Sequence, residues 1–235
     1  MLEGVFFCAL VPELRSLLKG RTVRKVGVVI RHGLTLVFPG GALFLCARPD
    51  RTGIWFSSES HEMTDPDSPA WADHLEGAVV KAIRQQGADR VIMLEMESAD
   101  PYSPGGVRLV FEATGRNANL LLVRISDQRI LAVTRRVDPE RSRYRTLVPG
   151  SSYRPPPPSG LSPGEWCRRM SLPEDPGERD IYGQLEGVGP CTARAVLREA
   201  ESSGRSPMDV LCDLEKKLLK RSEEHTSELQ SLLII

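Results

Sequence analysis

No apolar run in this 235-residue chain approaches the roughly 18 residues that a membrane-spanning helix needs. The first residues carry no basic stretch followed by a long apolar one, so no secretory leader is expected. Net charge is also missing: 31 basic side chains balance 31 acidic ones. That removes the global basic signature of a nucleic-acid binder but leaves surface segregation of charge open. The five cysteines, Cys8, Cys46, Cys167, Cys191 and Cys212, contain no Cys-x-x-Cys pair. They read as reduced thiols, mostly core fillers, with no zinc site. His32, His61 and His74 stand alone, and no Gly-x-Ser-x-Gly, Walker loop or His-Glu-x-x-His occurs. No enzyme, cofactor, metal or small-molecule substrate is expected on these grounds. What remains, 26% charged and 40% hydrophobic, suits one or two soluble domains with real cores, placed in the cytoplasm.

The most informative stretch runs from Phe111 to Val123. The strand-like run Val107–Val110 before it and the apolar Leu120–Val123 at its end read as strands, the second of them buried. Between them lies Gly115-Arg116-Asn117-Ala118-Asn119. Glycine and asparagine tolerate left-handed backbone, so a tight hairpin is sterically easy. One guanidinium and two amides exceed what a turn requires. The stretch is either a hairpin with a solvated tip or a surface that grips phosphate or a base edge.

Taken in order, the chain opens with a helical pattern over residues 5–19. Pro12 places the regular part from about Val11, with the proline in its first turn and Gly20 as a stop. Short β-like runs follow at Thr22–Ile30, Leu34–Phe38, Ala42–Cys46 and Gly53–Phe56. A loop fits His61–Pro69 and a short helix Ala70–Glu76. Further strands fit Val79–Arg84, Arg90–Glu97, Val107–Phe111, Leu120–Val123 and Ile130–Val133. Strands at this spacing suggest a sandwich or barrel. Pro155–Pro158 is a stiff extended connector. Beyond it the pattern turns helical: one helix starting within Arg179–Leu185, a second over Pro190–Ser202, a third over Pro207–Lys220. The turn Leu185-Glu186-Gly187-Val188-Gly189-Pro190 is either a plain connector or a helix-hairpin-helix turn. In the second case the Gly187 and Gly189 amides would meet a phosphate.

Residues Arg221 to Ser231 resemble the translation of a DNA-sequencing adapter, so 221–235 is set aside from fold reasoning. Without it, thirty basic and twenty-eight acidic side chains remain. The expected organisation is a β-rich domain over 1–154, a Pro-rich linker over 155–163, and a helical domain over 164–220.

Asp89-Arg90 opens a strand and presents an acid and a base at a sheet edge. It is either a rim ion pair or a nucleic-acid contact, since arginine suits phosphate or guanine and aspartate accepts from a base amino group. Four segments then carry a resemblance over about the first 160 residues. They are Leu2-Glu3-Gly4-Val5-Phe6, then His74-Leu75-Glu76-Gly77 with Gln85 to Arg90, then Phe111 to Val123. The last is Arg143-Tyr144-Arg145-Thr146-Leu147-Val148-Pro149-Gly150 with Tyr153 and Pro155–Pro158. In this order they resemble the NFACT N-terminal domain. That family includes bacterial RqcH, eukaryotic NEMF and proteins long labelled fibronectin-binding. Glu3 stands where the family usually has aspartate, and Asn117 and Ala118 where it has histidine and serine. Ala72-Asp73 replaces an Arg-Lys pair, while Gly115, Arg116 and Asn119 match.

The resemblance implies an α+β fold: a β-rich sandwich similar to the N-terminal domain of formamidopyrimidine-DNA glycosylase, followed by a small helix-hairpin-helix domain. Those glycosylases use an N-terminal proline amine; Leu2 and Glu3 here exclude that chemistry. The implied function is the RNA-binding part of a ribosome-associated quality-control factor. Such a factor binds the obstructed large ribosomal subunit, peptidyl-tRNA and tRNA, and promotes template-free alanine tailing of the stalled chain. Peptide transfer belongs to the ribosome, so no catalytic residue is required. The RNA-binding residues would be Asp89, Arg90, Arg116 and Asn119, with Asn117 and Glu3. A fibronectin-binding adhesin is the alternative, opposed by the lack of a leader and of disulfide pairing. A non-catalytic, glycosylase-like nucleic-acid binder is the second.

Overall fold

The computed structural model describes residues 3–59, 61–97, 105–140 and 144–230, with the side chains of 221–230 left aside. Leu2, Arg143 and residues 231–235 lie outside the described residues. The fold is α+β with two antiparallel sheets, and the chain divides into two compact units. The first holds Val11–Gln86 and Arg90–Pro156; the second holds Glu3–Leu10, Gly87–Asp89 and the chain from Pro157 onward.

Both sheets lie in the first unit. One is a meander of β1 (Lys25–Gly27), β2 (Gly33–Phe38), β3 (Gly41–Ala47) and β4 (Thr52–Ser57). Phe38 pairs with Gly41, so Pro39-Gly40 forms a two-residue turn. Proline presets one dihedral and Gly40 takes φ +86°. The expected strand Thr22–Ile30 shortens to β1 because its residues serve three partners. The Val23 amide donates to Ala78, β1 pairs with β2, and Val28 pairs with Thr64. The helix α2 (Pro69–Leu75) buries Trp71 and Leu75.

The second sheet is the meander β5 (Val79–Gln85), β6 (Val91–Glu97), β7 (Val107–Glu112), β8 (Asn119–Arg124) and β9 (Ile130–Val133). Leu120 to Val123 of β8 are all buried, as the unbroken apolar run predicts. One of its faces is covered by the returning chain. There Leu147 and Tyr153 pack on Val91, Val110, Leu121, Val123 and Ile130.

The helix α1 (Gly4–Leu18) starts seven residues before the expected point and keeps Pro12 in its interior. Its first amides already have acceptors: Val5 donates to the Gly187 carbonyl and Phe6 to that of Glu3. Pro12 therefore removes one ladder bond from a helix that is anchored at its start.

The second unit gathers four helices: α3 (Trp166–Arg169), α4 (Glu178–Tyr182), α5 (Pro190–Ser203) and α6 (Pro207–Gln230). Trp166, Ile181, Leu185, Ala193, Val196 and Leu211 form its core, with Val5 packed against them. The four-residue α3 was not anticipated, being shorter than any periodic signal. The helix α6 runs ten residues past Lys220, through a segment with no glycine or proline to stop it. Asp180 accepts the Gly177 amide at 2.8 Å, and Glu215 accepts those of Gly164 and Trp166, both at 2.7 Å.

The thiol reading needs one correction. Cys167 and Cys212 are joined as a disulfide, with Cα atoms 5.5 Å apart. The separation of 45 positions hid the pair from any spacing argument. Among the described residues no cluster of three or more His, Cys, Asp or Glu suits a metal, and no helix is long and apolar enough to cross a membrane.

Candidate nucleic-acid interface at the turn after Glu112

The turn that links β7 to β8 is set by a buried ionic knot. Glu112, the last residue of β7, is fully buried. Its two carboxylate oxygens accept from the Arg145 guanidinium at 2.6 and 2.7 Å, and one also accepts from the Tyr153 hydroxyl at 3.0 Å. Burial raises the Tyr153 hydroxyl pKa well above its ordinary value, and the Glu112 charge adds to that. Burial alone would lower the Arg145 guanidinium; the hydrogen bonds and charge of Glu112 reverse this and raise it. Arg145 and Tyr153 both fall in segments singled out by sequence, but neither they nor Glu112 was assigned a role.

The far side of the turn is fixed by Asn119. It is buried, with its amide NH₂ donating to the Arg135 carbonyl at 2.8 Å. Its side-chain oxygen accepts from the Thr134 hydroxyl and the Arg135 amide, both at 3.0 Å. Asn119 thus ties the start of β8 to the chain leaving β9, and its polar atoms are engaged inside the protein. Between the two anchors the chain makes a single 3-10 turn, Gly115–Asn117. Gly115 takes the left-handed conformation at φ +67°, while neither Asn117 nor Asn119 does.

What this construction presents is arginine. Arg116 and Asn117 are exposed on the turn, while Ala118 beside them is buried. The Arg135 guanidinium donates to the Arg116 carbonyl. Arg90 precedes β6 and its carbonyl accepts the Ala113 amide at 2.7 Å, which brings it to the same end of the sheet. Arg136 and Arg154 are also exposed. Among the described residues, Arg116, Arg135, Arg136 and Arg154 take part in no ion pair.

The other expected site residues gather in the second unit. Asp89 is buried there, and Glu3 is 8% exposed. One oxygen of Glu3 accepts the Cys191 amide at 2.7 Å. The other accepts the Gly189 and Thr192 amides at 3.2 and 3.0 Å, together with the Thr192 hydroxyl. Burial alone would raise the Glu3 carboxyl pKa; the Thr192 hydroxyl and these three amides outweigh it and lower the value. The amide of Gly189 and those opening α5 are therefore already occupied by an internal carboxylate. No phosphate shares them while Glu3 is in place. Nothing in the sequence connects residue 3 to residue 189.

Three backbones meet closely at this point. A Cβ on Gly4 would lie 1.8 Å from the Ala88 carbonyl oxygen, and one on Gly187 2.1 Å from the same atom. Gly187 also takes φ +78°. Glu186, 7% exposed, accepts the Ala88 amide at 3.3 Å. Burial raises its carboxyl pKa, the Ala88 amide works against that, and the Asp89 charge adds to it.

Glu3 and Glu186 therefore respond to pH in opposite senses. Glu3, lowered in the folded state, stabilises above the unfolded carboxylate range near 4.5 and loses this as pH falls through its folded value. Glu186, raised, is most favourable below that range and loses stability as pH rises through its folded value. Thermal melts of Glu186→Gln should show a raised Tm at pH 7 and little change at pH 4. Glu3→Gln should lower Tm at pH 7 and least at the acid end. Equal shifts at both pH values would contradict the assignment.

The model of a family described as NFACT N-terminal and middle domains matches residues 3–233. Among curated proteins, the Rqc2 homolog RqcH of Bacillus subtilis is 24% identical over 214 residues, covering 84% of this chain and 37% of that protein. The Rqc2 homolog RqcH of Streptococcus pneumoniae is 29% identical over 211 residues, covering 83% and 38%. The chain thus spans less than two fifths of the length of the curated relatives it matches. Among solved structures, the N-terminal domain of the fibronectin-binding protein PavA from Streptococcus pneumoniae is 27% identical, with a TM-score of 0.71, covering 87% of this chain and 83% of that one. The N-terminal part of the fibronectin/fibrinogen-binding protein of Streptococcus suis is similar in fold, with a TM-score of 0.73 at 23% identity, over 91% and 85%. The match from residue 3 to residue 233 places the chain in the family of NFACT N-terminal and middle domains.

Proposed function

We propose that this chain is the RNA-binding N-terminal part of a ribosome-associated quality-control factor. The observation that carries the reading is the arginine-bearing turn. Glu112 and Asn119 clamp its two ends, so Arg116 projects from a fixed backbone with Arg90, Arg135 and Arg136 at the same end of the sheet. A rigid frame with exposed guanidinium groups suits phosphate, because less freedom is lost on contact. The similarity to RqcH proteins supports the same assignment. In this reading the partners are tRNA, peptidyl-tRNA and the obstructed large ribosomal subunit, met in the cytoplasm. The intact factor promotes alanine tailing by positioning RNA. The peptide bond is made by the ribosome, so this chain acts without an acid, base or nucleophile of its own. We also read the two sheets followed by the Gly187-Val188-Gly189 turn as related to the glycosylase and helix-hairpin-helix arrangement, with that turn serving internal packing.

The test is tRNA binding by the chain across a salt series. Each phosphate contact contributes a slope of about −0.7 to −0.9 in log K against log salt. Arg116→Ala combined with Arg136→Ala should therefore flatten the slope by roughly 1.4 to 1.8. The change Arg90→Ala should cost about 1–3 kcal/mol if it removes a base contact. Unchanged slopes and affinities would move the RNA site elsewhere.

Fibronectin binding, for which structural neighbours are named, is the competing reading. The Cys167–Cys212 disulfide removes one argument against it, since disulfides persist in oxidising compartments. Saturable fibronectin binding that is indifferent to the arginine changes, with no tRNA binding, would favour the adhesin.

A further inference from the structure

We infer that Cys167 and Cys212 form a reversible redox-modification site that adjusts how firmly α3 is held to α6. Two features of the second unit support this. First, Cys167 is exposed and Cys212 partly so, which gives a dissolved thiol or disulfide a route to the sulfur atoms. Exposed bonds of this kind exchange more readily than buried ones. Second, the contact does not depend on the bond. One turn further along α6, Glu215 accepts the amides of Gly164 and Trp166 at 2.7 Å and that of Cys167 at 3.4 Å. Trp166 and Leu211 share the core of the same unit. Cutting the bond leaves this second attachment, so both redox forms have a defined fold.

The oxidant is a small-molecule disulfide of the glutathione class. The Cys167 thiolate attacks one of its sulfurs, its S–S bond breaks, and a small thiolate leaves. The Cys212 thiolate then attacks the Cys167 sulfur of the mixed disulfide and displaces the second small thiolate. Two electrons pass from the cysteine pair to the reagent. The two protons lost by the cysteines go to the departing thiolates. Cys191, exposed and outside the disulfide, has no second sulfur in this scheme and stops at the mixed disulfide.

The experiment equilibrates the full chain at a series of ratios of reduced to oxidised glutathione, followed by alkylation, mass analysis and thermal melts. The expected result is a single transition of the 167–212 pair within the series, with far-UV helical signal retained at both ends. The reduced form should melt roughly 5–15 °C lower, from the loop closure that the bond supplies. Cys212→Ser should abolish the transition and Cys191→Ser should leave it in place. A pair that stays oxidised at every ratio and yields only on denaturation would be a permanent structural bond and overturns the inference. So would a pair that never oxidises, or a reduced form that has lost its helical signal.

Discussion

Arg145→Ala should destabilise the chain by about 3–5 kcal/mol, read as a fall in the urea midpoint with the slope unchanged. Glu112 has no exposure to water, and two of its three side-chain hydrogen bonds come from the Arg145 guanidinium. Without the arginine, a buried carboxylate keeps one phenol. The cost is that of an unpaired buried charge, which exceeds the net contribution of the pair itself. The distinction can be measured. Tyr153→Phe removes one hydrogen bond and should cost about 1–2 kcal/mol. The triple change Glu112→Met, Arg145→Leu, Tyr153→Phe removes all the polar groups together and should recover much of the loss. A loss below about 1 kcal/mol for Arg145→Ala would mean that the pair behaves as an exposed one. The same variant should weaken tRNA binding through the turn, although Arg145 itself serves the carboxylate.

Gly187→Ala is the second change with a large expected effect. The added methyl would lie 2.1 Å from the Ala88 carbonyl oxygen and 2.9 Å from the Ala88 Cβ. Backbone cannot yield as a flexible side chain does, and φ +78° already disfavours any residue with a Cβ. Both penalties fall at the point where the Val5 amide reaches the Gly187 carbonyl at 3.1 Å. A loss above about 4 kcal/mol, in the range of exceptional single substitutions, is expected in calorimetry. Gly115→Ala is the control. Gly115 has a similar φ of +67° but nothing within 4 Å of the added carbon, so only the conformational term of about 1–2 kcal/mol applies. If the two cost the same, close approach contributes nothing and the 4–88–187 junction is looser than described.

The strands were legible because alternation and punctuation fix them locally. The runs from Leu34 to Phe56 and from Val107 to Val133 appear as β2–β4 and β7–β9 within a residue or two. The start of α1 was not legible, because the rule applied to Pro12 is local. What overrides it is an amide–carbonyl bond from Val5 to Gly187, far along the chain. The disulfide was missed for the same reason. At the candidate site, sequence singled out the turn with Arg116 and the segment with Asp89 and Arg90. It could not separate residues that face solvent from those that build the frame. Asn119 has the chemistry of a base reader and is engaged in capping the next segment. Glu3 has the chemistry of an acid near RNA and closes a helix. Residue type states what a side chain can do; only its neighbours state whether it is available.

Glu3 also has a consequence for the order of synthesis. Its carboxylate is made well before its partners Gly189, Cys191 and Thr192, which follow 186 to 189 residues later. At about 5–20 residues per second, the interval is roughly ten to forty seconds. Through that time the segment Glu3–Leu10 has no α5 to close, and Val5 has no core to join. The first unit can assemble meanwhile, since its sheets need only residues up to Pro156. The second unit cannot close until α5 has emerged, so its completion registers that both ends of this stretch of chain have been made. A nascent chain that stops before Gly189 holds a finished pair of sheets while Glu3 and Val5 still lack their partners.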